Sequence, residues 1–255
     1  MRLAYERTGS GPPLVLIHGI GSRRGVWKPV VPLLAAERDV VSVDLPGFGD
    51  SPVLGEQPTV VTFARTVREW WTELGIERPH VVGNSLGGGI ALELARMDAV
   101  ASATALSPIG FWSPGEALWS RTMLHVSHFA AQRLGLERVV RSAVGRQLSI
   151  GLMYGHPMRC DGAEAARDVA NLAAAPGWEA TLPHTRAYAF AHGEQLHVPV
   201  TIGWGTRDRL LIPRQAGRAR AALPQGRHVP LPGCGHIPMS DDPDGVAALI
   251  LAGSA

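Results

Sequence analysis

Ser85 stands in Gly83-Asn84-Ser85-Leu86-Gly87, inside the longer run His80 to Gly89. This G-x-S-x-G spacing suits a nucleophilic hydroxyl on a sharp strand-to-helix turn, where glycines two before and two after leave room for the chain to fold back. The helix that follows would present its positive end to developing negative charge. The plainer alternative is a tight turn whose serine only caps that helix. A serine hydroxyl needs a base, and the order expected is serine, then acid, then histidine. Among ten histidines, His125, His128, His156, His184, His192 and His197 precede the final strand outside any strand-end loop. His228 lies within that strand. His236, in Pro232-Gly233-Cys234-Gly235-His236-Ile237-Pro238, follows it in a Gly/Pro-rich loop and is the candidate base.

Asp208 is the candidate acid. It ends the preceding apolar run in Gly205-Thr206-Arg207-Asp208, where it would fix the imidazole tautomer and stabilise the imidazolium; a surface aspartate paired with Arg207 or Arg209 is the alternative. The end of the run before that, Ala105 to Gly110, offers no carboxylate. A tetrahedral intermediate needs two aligned donors, and the backbone N–H groups of Ile20 and Leu86 are the candidates. His18 is expected to bond loop backbone, and Asp44 to organise the loop 44–51. Cys234, close to His236, reads as a small buried residue.

These groups need elements to hold them. Apolar runs at 14–18, 39–44, 80–84, 101–107, 198–204 and 227–231 have the length of strands buried on both faces of a parallel sheet. Helical spacing occupies 26–36, 59–74, 86–97, 213–223 and 243–251, with Thr59 a cap and Pro213 suited to a first turn. Alternating strand and helix implies right-handed crossovers and a doubly wound α/β sheet, whose ligands bind beyond the strand C-termini. From about 110 to 196 no buried strand is discernible. This stretch reads as helical and carries Trp112, Trp119, Phe129, Tyr154 and Trp178. It reads as an insertion between the runs at 101–107 and 198–204, being short and flanked by strands of one sheet pattern; a separate second domain is the alternative.

The 255 residues suffice for a full core, and a net charge of +2 without basic runs argues against nucleic acid as a partner. Two distant cysteines make neither a disulfide framework nor a metal spacing, so no metal is expected. The N-terminus lacks the apolar region of a signal peptide, and no window reaches the roughly 18–20 apolar residues of a span. A cytoplasmic protein with no membrane partner is expected. Its oligomeric state is not legible.

Taken in order, His18-Gly19, the loop 44–51, the Ser85 elbow, Asp208 and Gly235-His236 resemble the α/β-hydrolase family, of the bacterial kind with a helical lid, over residues 14–252. The resemblance implies a mostly parallel sheet of eight strands and no cofactor. Only residues 3–7 are available for an opening strand, so seven or eight strands are expected. It also implies a core of residues 1–110 and 197–255 and a lid of 111–196. The activity implied is cleavage of a small to medium hydrophobic carboxylic ester through an acyl-enzyme, with Trp112, Phe129, Tyr154 and Ile237 lining the substrate pocket. Carbon–carbon bond hydrolases of ring-cleavage products, lactonases and perhydrolases resemble the same pattern, as do non-hydrolytic ligand-binding or biosynthetic helper proteins. Ile237 departs from the tryptophan that the carbon–carbon hydrolases usually carry after the histidine.

Overall fold

Valine- and leucine-rich pentads build the sheet of the computed structural model, which describes residues 1–191 and 193–255; His192 lies outside them. The strands are β1 (Tyr5–Thr8), β2 (Pro13–Ile17), β3 (Asp39–Val43), β4 (His80–Asn84), β5 (Ser102–Leu106), β6 (Val200–Gly205) and β7 (Arg227–Leu231). Their order is β1-β3-β2-β4-β5-β6-β7. All neighbours pair parallel except β1, an exposed edge strand antiparallel to β3. The sheet is thus the mostly parallel one expected, with a four-residue opening strand.

Strand side chains alternate between faces, and both faces are covered. Val15 and Ile17 join one core with Phe63, Val67, Ile90 and Trp204. Leu14 and Leu16 join the other with Trp27, Leu34, Leu231 and Ile250. The first face is covered by α2 (Val60–Glu73) and α3 (Leu86–Arg96), the second by α1 (Val31–Leu34) and α11 (Pro243–Gly253). In α2, Val60, Phe63, Ala64, Val67, Trp70 and Trp71 recur at helical spacing on the buried side. Thr59 Oγ1 accepts from Thr62 N at 3.1 Å. Gly75, at φ +72°, lets the chain turn back so that Ile76 N bonds Trp71 O and Gly75 N bonds Thr72 O.

The single helix expected over 26–36 does not form. A 3₁₀ turn at Arg24–Trp27 and the four-residue α1 replace it. Pro29 and Pro32 explain the break: each lacks an N–H, and proline is tolerated only in a first turn, where Pro32 sits.

Between β5 and β6 the described residues contain no strand. They form α4 (Pro114–Arg133), α5 (Leu136–Val139), α6 (Ala143–Ser149), α7 (Gly162–Ala174) and α8 (Trp178–Arg186). This segment has a small core of its own, Val140, Ala165, Ala166 and Val169. Helices α9 (Gln215–Ala222) and α10 (Pro238–Asp241) follow in the C-terminal part. Among the described residues no helix is long and apolar enough to cross a membrane.

Candidate active site

Ser85 sits between β4 and α3 at φ 58°, ψ −114°, a conformation that L residues rarely hold. The surroundings enforce it. Ser85 N donates to Leu106 O at 3.0 Å, and Ser85 O accepts from Gly89 N and Ile109 N, both at 3.1 Å. A Cβ on Gly83 would strike Gly87 O, and one on Gly87 would strike Ile17 O. The glycine spacing read from the sequence is therefore a steric requirement of this turn. A Cβ on Gly19 would come to 3.1 Å from Ser85 Cβ, so the loop after β2 runs directly beside the serine.

His236 follows β7 and is buried, with Nδ1 donating to Asp208 Oδ2 at 2.8 Å. Asp208 follows β6 and is buried too. Its Oδ1 accepts from the amides of Leu210 at 2.9 Å and Leu211 at 2.8 Å. Those bonds aim Oδ2 at His236 and leave Nε2 as the ring nitrogen able to exchange a proton. Ser85 and His236 line one cavity of about 110 Å³. No hydrogen bond joins Ser85 Oγ to His236 among the described residues; such contacts are often long in free enzymes and tighten around substrate.

Ile20 borders the cavity, in the loop beside Ser85. Leu86 is the first residue of α3, where an amide has no partner inside its helix. His18 Nε2 accepts from Leu45 N at 2.9 Å, and its Nδ1 faces Gly19 O at 2.7 Å. Full burial lowers its pKa, and the two bonds fix a neutral tautomer. Asp44 accepts from Arg24 N at 2.5 Å and Asp50 N at 3.0 Å. Both residues thus hold loops. Burial pushes the Cys234 thiol up to about 12, which suits a packed residue rather than a thiolate.

Of the four expected pocket residues, Tyr154 and Ile237 line the cavity, and Trp112 lines a smaller adjoining pocket with Ile20, Ser85 and Leu86. Phe129 does not. It is 60% exposed, on the outer face of α4, and borders neither space. Large apolar residues occur all round α4, so sequence spacing alone does not pick the inward side. The cavity is otherwise apolar, walled by Leu124, Ile150, Met153, Val169, Leu172 and Leu210. One further carboxyl borders it: burial pushes Asp168 up to about 6, opposed by Arg23.

Three residues that sequence reasoning did not assign to the site complete the frame. Asn84 Nδ2 donates to Leu106 O at 3.1 Å and to His236 O at 2.9 Å, tying the histidine loop to the serine turn. Buried Asp241 accepts from Gly235 N at 2.7 Å, Gly155 N at 2.8 Å and His156 N at 2.7 Å. Met153 O accepts from Ile237 N at 3.0 Å. Asn84 could have been suspected from its place beside the serine. Asp241 and Met153 act on partners more than eighty residues away only through the fold.

Residues 14–249 match the model of the Alpha/beta hydrolase family. An uncharacterized protein of Mycobacterium tuberculosis is 30% identical over 264 aligned residues, covering 95% of this chain and 75% of that protein. The pimeloyl-(acyl-carrier protein) methyl ester esterase of Methylococcus capsulatus is 46% identical over 109 residues, 42% of this chain and 41% of the esterase. The structure of a thermophilic esterase from Thermogutta terrifontis superposes with a TM-score of 0.76 at 24% identity, covering 98% of this chain and 92% of that one.

Proposed function

This chain belongs to the alpha/beta hydrolase family, and on that premise we propose that it is a serine hydrolase of small to medium hydrophobic carboxylic esters. The observation that carries this reading is the placement of Ser85 and His236 on one apolar cavity with Asp208 buried behind the histidine. The ester specificity draws support from the esterase of Methylococcus capsulatus, similar over part of its length.

In this reading Ser85 Oγ attacks the ester carbonyl carbon while His236 Nε2 takes the hydroxyl proton. Asp208 holds Nδ1–H and stabilises the imidazolium. The amides of Ile20 and Leu86 bind the oxyanion, each donor being worth about 3–4 kcal/mol. Collapse of the intermediate expels the alcohol, which takes its proton from His236. Water, deprotonated by the same nitrogen, then attacks the acyl-enzyme, releasing the acid and restoring Ser85. No cofactor enters this sequence. Residues 111–196 roof the cavity as a lid over a core of 1–110 and 197–255. Tyr154 and Ile237 contact the substrate, with Trp112 at the adjoining pocket. The cavity's apolar lining favours hydrocarbon groups, oriented by the few polar atoms at its base.

Hydrolysis of p-nitrophenyl esters of increasing acyl length, wild type beside Ser85→Ala, tests this reading. Turnover that peaks at short to medium chains and vanishes in the variant is expected. Undiminished turnover in Ser85→Ala would overturn it.

A further inference from the structure

Of the fourteen large apolar side chains exposed among the described residues, nine lie between 118 and 158. Four of them, Leu118, Trp119, Val126 and Phe129, stand on α4. At 100° per residue these four and Arg133 fall within an arc of about 100°. The opposite side of the helix carries Ala117, Ser120 and His128, which are buried. The stripe from 118 to 133 is about 22 Å long at 1.5 Å per residue. It continues into exposed Leu134 and Val139.

The same region is basic. Residues 117–160 hold six arginines and a single acid, Glu137, a net +5 in a protein whose total is +2. Arg146 is buried, bonding backbone carbonyls. The other five, Arg121, Arg133, Arg138, Arg141 and Arg159, form no ion pair among the described residues. Elsewhere Arg7, Arg65, Arg78 and Arg218 each pair with a carboxylate, whereas Arg68, Arg207, Arg220 and Arg227 lack one among the described residues; what sets 117–160 apart is that its unpaired arginines accompany the exposed apolar stripe. An apolar stripe beside unpaired guanidinium groups is the composition that lies in the interface of an anionic lipid surface, with apolar groups at the acyl boundary and cations at the headgroups.

We propose that the outer face of α4 and the basic turn that follows it dock this protein on anionic lipid surfaces. The expectation of no membrane partner rested on the absence of a spanning segment. Peripheral docking needs none, and a stripe completed only by helix formation does not register as an apolar run. The proposal does not depend on the hydrolase reading, because the stripe lies outside the cavity.

Co-sedimentation with vesicles tests it, using phosphatidylglycerol mixed with phosphatidylcholine beside phosphatidylcholine alone. The wild type and Ser85→Ala are expected to bind the anionic vesicles equally and at least about tenfold more tightly than the neutral ones, and to be released in high salt. Leu118→Asp/Val126→Asp and Arg133→Glu/Arg138→Glu/Arg141→Glu are expected to lose at least about tenfold in binding, at roughly fivefold per basic residue. Both variants should keep the wild-type circular dichroism spectrum and hydrolysis of a soluble short-chain ester. Equal affinity for neutral and anionic vesicles, or unchanged binding by folded variants, would overturn the proposal. So would a wild-type dimer that ignores vesicles and dissociates in Leu118→Asp/Val126→Asp, since a second copy would then cover the face.

Discussion

In β2, Leu14, Val15, Leu16 and Ile17 are each wholly buried, whereas the twenty residues of α4 bury only Glu116, Ala117, Ser120 and His128. The sheet and the helical segment between β5 and β6 are thus built to different standards. Every candidate catalytic side chain follows a strand, and backbone bonds or steric exclusion fix each turn: Ser85 after β4, Asp208 after β6, His236 after β7. The helical segment supplies much of the cavity wall, including Leu124, Ile150, Met153, Tyr154 and Leu172. Trp178 and Leu182 on α8 join it to the sheet core, and polar contacts add to this. Glu164 on α7 pairs with Arg23 and Lys28, each at 2.7 Å, and Asn171 donates to Gly21 O and Ser22 O, each at 3.1 Å. The candidate catalytic side chains thus stand on rigid turns, whereas much of the cavity wall stands on a less deeply buried helical segment.

That contrast breaks most sharply if a sheet-end group proves dispensable. Asp208→Asn should lower kcat for ester hydrolysis about 10⁴-fold while the protein stays folded; a loss under tenfold would detach Asp208 from the chemistry. Next in size is a matched pair of truncations. Phe63→Ala, in the sheet core, should cost about 3–5 kcal/mol in urea unfolding, against less than about 0.5 kcal/mol for exposed Phe129→Ala. Similar losses would mean that the two regions share one core. Asn84→Ala leaves His236 O without its donor and should cost about 1–3 kcal/mol of stability. It should also lower kcat more than it raises KM, since it disturbs the position of His236 and not the cavity wall.

The smallest effect concerns the attachment itself. Arg167, Lys28 and Arg23 hold the Glu164 carboxyl down at about 2. Glu164 therefore contributes stability above its ordinary pKa of 4.5, and this is lost as pH falls through about 2. With the side chain a quarter exposed, screening leaves about 1 kcal/mol. Glu164→Gln should melt below the wild type at pH 6, and the two curves should converge as pH falls from 4.5 towards 2. A constant difference across that range would mean that the carboxylate charge does not hold the segment.

The same division governs what the residues reveal before folding. The five buried strands are legible because each is an apolar run bounded by glycine, proline or charge; the run at 227–231, expected to be buried on both faces, is an edge strand whose one buried residue is Leu231. The candidate serine, acid and histidine are legible because they sit at the punctuated ends of those runs. Within α4 the apolar residues serve two surfaces, so Phe129 is assigned inward by its type and outward by the fold. At 26–36 the apolar spacing suggests one helix, and two prolines divide it. Asn84 and Asp241 brace the histidine loop across 152 and 6 residues of sequence respectively, and Asp241 also reaches 86 residues back to Gly155. Bonds of that kind leave no local pattern.

Covalent labelling reads the proposed role of Ser85 as nucleophile directly. After reaction with a fluorophosphonate and proteolysis, mass spectrometry should place a single adduct on the peptide containing Ser85. Labelling should be absent in Ser85→Ala and greatly slowed in His236→Ala. An adduct on another residue, or none on the folded wild type, would contradict the account.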